Sequence, residues 1–165
     1  MFDLKPLTSE AIPAALEKAM RYRLLKEPGE AESICLDVLA VEPENQKALV
    51  TLLLAMTDRF GRGYAMSNTR VQEILARLSD PYERFYYAGI ASERSGKSQL
   101  QQGTPGSSVA AYELLRAAMD SYEEAEKIRP AGNDDALLRW NACARLIMRN
   151  HLEPRAEERY EPALE

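Results

Sequence analysis

The sequence predicts an all-α protein, and three observations carry that prediction. Apolar residues recur at steps of three and four through most of the chain. No stretch alternates β-branched and polar residues between hairpin turn signals. The helix-ending segments Glu27-Pro28-Gly29, Glu42-Pro43 and Gly61-Arg62-Gly63, and the helix-opening pair Asp80-Pro81, separate one apolar stripe from the next.

A first helix is expected over residues 9–26. Ala15, Leu16, Ala19, Met20 and Tyr22 lie near one side of it, with Pro13 in the opening turns where a missing N–H costs little. A second runs from after Gly29 to Val41 with Ala31, Ile34, Cys35, Val38 and Leu39 in one stripe. A third, over residues 46–60, is apolar around most of its circumference and is expected to be the most buried. After the glycine turn, Ser67 or Asn68 is placed to accept from the free N–H groups of a fourth helix carrying Val71, Ile74, Leu75 and Leu78. Asp80 then serves as N-cap and Pro81 as first residue of a fifth, whose surface of Phe85, Tyr86, Ala88, Gly89 and Ala91 is aromatic and small.

Residues 95–108 hold Gly96, Gly103, Pro105 and Gly106 among polar neighbours, and the composition predicts a loop insertion. A long amphipathic sixth helix follows over residues 108–128. A turn through Pro130-Ala131-Gly132, capped by Asn133 or Asp134, leads to a seventh with Leu137, Trp140, Ala144, Ile147 and Met148. One helical domain over residues 1–152 is expected, then a charged tail over 153–165.

The chain has 165 residues, enough for one domain to bury most of its apolar surface. Its formal charge of −5 opposes a nucleic-acid partner, because phosphate binding needs a basic field. The opening residues contain no apolar core of signal-peptide length, and the apolar run at 48–56 is about half of what a bilayer span needs, so neither secretion nor membrane insertion is expected. Two thiols far apart, Cys35 and Cys143, suit buried small residues in a reducing, cytoplasmic setting.

Catalytic motifs are weak. Ser95-Gly96-Lys97-Ser98 has the ending of a phosphate-binding loop but lacks the glycine five residues earlier and a preceding strand, and it reads as linker. His151, the sole histidine, sits at a helix end without second and third metal ligands. Glu123-Glu124 and Asp134-Asp135 are neighbours that point in different directions, and Arg59, Arg62 and Arg70 around Asp58 read as a solvated turn. No cofactor is expected.

Ala118, Tyr122, Ala125 and Pro130 have the small, aromatic, small, proline spacing of the second helix in a tetratricopeptide hairpin, and Ala31, Cys35, Val38 and Pro43 give a fainter copy. On these residues the chain resembles the tetratricopeptide family over roughly 120 to 140 residues. The repeats are irregular, since the prolines at 43, 81 and 130 are 38 and 49 residues apart against the family's usual 34. The resemblance implies a right-handed α-α superhelix of about three hairpins plus a C-terminal capping helix. It also implies a noncatalytic module that binds a peptide or helix of a protein partner in a concave groove. Carried onto this chain, the groove positions are Arg23, Lys47, Tyr86, Arg94, Asn141 and Arg145, with Met20, Leu24 and Val50 beside them. The positions where chaperone-binding members carry lysine and asparagine hold Leu16 and Met20, which argues against that ligand. A second reading is a homo-oligomer pairing through Trp140 and Ile147; a third, weaker one is a helical enzyme using Tyr86, Tyr87 and nearby carboxylates.

Overall fold

A computed structural model describes residues 2–61 and 68–155, apart from the side chain of Asn68. Among these residues there are a short 3-10 turn, Ser9–Ala11, seven α-helices and no strand. The helices are α1 (Ile12–Leu24), α2 (Pro28–Val41), α3 (Gln46–Thr57), α4 (Asn68–Ala76), α5 (Pro81–Gln102), α6 (Ser107–Lys127) and α7 (Asp135–Arg149).

Local chemistry sets most boundaries. Asn45 caps α3 by accepting from the Ala48 N–H at 3.0 Å, and Asp80 caps α5 by accepting from the Tyr82 N–H at 2.9 Å. Pro28, read from sequence as a terminator, is instead the first residue of α2, where proline's fixed φ already suits the helix. Lys26 and His151 take left-handed backbone, φ 62° and 50°, and the next N–H turns back onto Tyr22 and Ile147 to close α1 and α7. Of the expected caps of α4, Ser67 and the Asn68 side chain lie outside what is described, as does the end of the tail.

The loop expected at 95–108 is corrected. Helix α5 continues through Gln102, and the connection is residues 103–106, where Gly103 and Gly106 adopt φ 61° and 82°. Gly96 is buried mid-helix because α6 lies so close that a Cβ there would sit 3.0 Å from Leu115 Cγ and 3.3 Å from the Ala111 carbonyl oxygen. Gly89 repeats the device: an added Cβ would come within 2.4 Å of Tyr122 Cε1. Moving seven residues forward on α5, from Gly89 to Gly96, moves the contact seven residues back on α6, so the two helices are antiparallel.

Helices α1, α3 and α5 run parallel. Met20 and Arg23 of α1 meet Thr51 and Asp58 in order, and Thr57 and Gly61 meet Arg94 and Ser98 of α5 in order. Each chain neighbour packs on the next, and α1 also touches α3 as α3 touches α5. Eight residues of α3 are buried, among them Leu49, Leu52, Leu53 and Met56, as its apolar circumference requires. The interior divides into one cluster centred on α1 to α4 and another on α5 to α7, with Ile12, Val38 and Ala48 forming a smaller group at the start of α1. Ala31, Cys35 and Val38 lie in α2 at 0% exposure, as do Ala118, Tyr122 and Ala125 in α6, so both small-residue patterns face inward. No described helix is long and apolar enough to cross a membrane.

Candidate functional site

Because α1, α3 and α5 are parallel, residues one turn apart line up across all three. Leu16, Met20 and Leu24 form one wall of a trough, Val50 and Thr51 its floor, and Tyr87 the far wall. The cavity measures about 760 Å³, and Glu17, Arg21, Lys47 and Glu83 stand at its edges. A second depression of about 440 Å³ shares Pro13, Leu16, Gln46 and Lys47 and carries the trough toward the start of α1. Met20 at 42% and Leu24 at 81% exposure leave the apolar wall open to solvent. Burial, then the charge of Asp80, raises the Glu83 carboxyl. Burial, then Glu83, pushes the Tyr87 phenol up to about 12, so it stays a protonated donor near neutral pH.

Two carboxylates tie neighbouring helices together. Asp58 accepts from Arg23 Nε at 2.8 Å and from Arg94 Nη1 at 2.8 Å, while Arg94 also donates to the Leu54 carbonyl at 2.9 Å and to Thr57 Oγ1 at 2.6 Å. Burial lowers the Arg94 pKa, and Asp58 opposes the shift. Glu93 lies deeper, accepting from Tyr122 Oη at 2.6 Å, from Lys97 Nζ, and from Arg139 Nη1 at 3.3 Å. Burial raises the Glu93 pKa, but the hydrogen bonds of Lys97 and Tyr122 and the charges of Lys97 and Arg139 outweigh it and leave it lowered. The same contact, added to burial, drives the Tyr122 phenol upward.

Of the six expected groove residues, Lys47 lines the trough. Arg23 borders a smaller depression of about 240 Å³ with Leu24, Lys26 and Pro28, and it shares Asp58 with Arg94. Tyr86 packs among Tyr82, Tyr87 and Tyr122, with ring centroids 5.2 to 6.0 Å away. On α7, Asn141 is half-buried and Arg145 exposed. Met20, Leu24 and Val50 do line the trough. The expected groove set left out Glu83 and Tyr87, the latter named only under the enzyme reading. It put Tyr86 in the groove, yet Tyr86 packs among the rings of Tyr82 and Tyr122, and a register error of one residue turns a helix face by about 100°. The spacing of four between Glu83 and Tyr87 was the available signal.

No family model, curated protein or solved structure matches this chain. Its other sequence features resolve into packing. Ser95 to Ser98 are helical, not linker, and Lys97 is held by Glu93. Arg59 and Arg70, read as solvated, converge on the buried Glu32 of α2 at 2.8 and 3.1 Å, whereas Arg62 lies outside the described residues. Trp140 is half-buried and donates to Glu123 at 2.8 Å, and Ile147 packs against the α5 to α7 interior. Both thiols are buried, and burial pushes each up to about 12. Among the described residues, no three His, Cys, Asp or Glu side chains converge as a metal ion would require.

Proposed function

We propose that this chain is a noncatalytic protein-interaction module whose trough between α1, α3 and α5 holds a peptide or helix of a protein partner. The observation that carries this reading is an open apolar wall of Leu16, Met20 and Leu24 facing Tyr87 across a cavity of about 760 Å³, with charges of both signs at its edges. Three parallel first helices backed by α2, α4 and α6 support a tetratricopeptide-like stack of three hairpins with α7 as cap, and a cytoplasmic setting accords with two buried thiols.

The test places a photo-crosslinking amino acid at Met20 in the trough and, in a second protein, at exposed Glu73 on α4. A partner cross-linked from Met20 and not from Glu73, and lost when Lys47→Glu and Leu24→Glu are added, supports the reading. Equal cross-links from both positions would refute it.

A further inference from the structure

The two most exposed large apolar side chains among the described residues are Phe2 at 98% and Leu4 at 88%, both in the segment that precedes α1. That arm is in no helix. Its root is Leu7, half-buried against Ile12, Val38 and Ala48. Thr8 is extended, with φ −78° and ψ 144°; Pro6 has a fixed φ and holds Lys5 extended as well. A stiff extended arm puts Phe2 and Leu4 on one side and Asp3 and Lys5 on the other.

We propose that the trough receives the arm of a second copy of this chain, residues 2–6 of each protomer seating in the groove of the other. The spacings agree. Phe2 and Leu4 are two strand residues apart, roughly 6.6 Å, and Leu16, Met20 and Leu24 are each four helical residues apart, about 6 Å. Charge agrees as well: Asp3 and Lys5 meet a rim of Arg21, Lys47, Glu17 and Glu83, so each partner surface is balanced although the whole chain carries −5. Phe2 and Leu4 are exposed in the protomer, so the arm does not fill its own groove. Each protomer therefore presents one unfilled groove and one uncovered arm, and a two-fold exchange covers both at once. The exchange rests on the trough being a docking surface, yet its test reads the two copies directly and needs no external partner. Where it forms, an outside ligand has to displace the arm.

The experiment is sedimentation equilibrium of the full chain from micromolar to millimolar concentration, with the Met20 methyl NMR signal followed on the same samples. Wild type is expected to dimerise, shifting the Met20 signal as it does so. Phe2→Ser with Leu4→Ser, and separately Met20→Glu, should each weaken dimerisation by about ten-fold or more. Both variants alter exposed positions, and circular dichroism checks their folding. An equimolar mixture of the two variants keeps one sound arm and one sound groove, so it should form a heterodimer tighter than either variant alone. A wild type that stays monomeric throughout, or a dimer indifferent to all these substitutions, would overturn the proposal. So would a Met20 signal that responds to arm removal but not to concentration, since that places the arm in its own groove.

Discussion

Asp58 and Glu93 both gather cations from neighbouring helices, but they do so in different surroundings. Asp58 joins α1, α3 and α5 with 26% of its side chain exposed, and each of its arginines also borders solvent. Glu93 joins α5, α6 and α7 with 1% exposed, and one of its partners is the fully buried Tyr122 hydroxyl. Water near Asp58 can replace a lost partner, which limits what that node contributes. At Glu93 the Tyr122 hydroxyl is fully buried, so removing the carboxylate strands it. One chemical device thus serves as a surface clasp in the first half of the molecule and as a keystone in the second.

The largest expected break in this comparison is Glu93→Ala, which should cost about 3 to 5 kcal/mol in urea unfolding. A loss no greater than that of Asp58→Ala would erase the distinction. The acid dependence of the Glu93 node sharpens it further. A carboxyl lowered below its ordinary value of 4.5 stabilises the fold above that pH, and the contribution is lost as pH falls through the folded-state value. The stability gap between wild type and Glu93→Gln should accordingly narrow below about pH 4.5, and a gap unchanged down to acid unfolding would contradict the assigned shift.

Gly89→Ala comes next, at about 2 to 3 kcal/mol, because its Cβ would displace the Tyr122 ring from Glu93. Calorimetry of Gly29→Ala provides the contrast, since nothing lies within 4 Å of a Cβ at that position. For Asp58→Ala the expected loss is about 1 to 2 kcal/mol, since Arg94 keeps the Leu54 carbonyl and Thr57 hydroxyl. The smallest effects have the opposite sign. Lys26→Gly and His151→Gly relieve left-handed backbone at the ends of α1 and α7 and should each add up to about 1 kcal/mol. A fall in melting temperature for either would show that its side chain contributes more than its backbone strains.

Legibility followed distance along the chain. Asp80 and Pro81 opened α5 as read, because a cap acts within a few residues. Pro28 was assigned to the break before α2, which starts two residues earlier than expected, since the same proline serves the end of one helix and the start of the next. The insertion at 95–108 was misread because glycine counts as a breaker in isolation, whereas Gly96 is chosen for the close approach of Ala111 and Leu115, which stand 15 and 19 residues away. In the trough, Met20, Leu24, Lys47 and Val50 had been placed by alignment on the tetratricopeptide resemblance, whereas that alignment left out Glu83 and Tyr87, because a one-residue error in the register of α5 turns the wrong face outward.

By itself, then, the sequence determined the all-helical class, the seven helices among the described residues, most of their ends and the apolar faces that turn inward, since caps, breakers and periodicity act within a few residues of one another. Only the tertiary structure decided that Arg23 and Arg94 meet on one carboxylate, that Glu93 lies beneath Tyr122, and that α1, α3 and α5 leave a trough between them. These are contacts between residues tens of positions apart, and they depend on how closely and in what register whole helices pack, which no local pattern records.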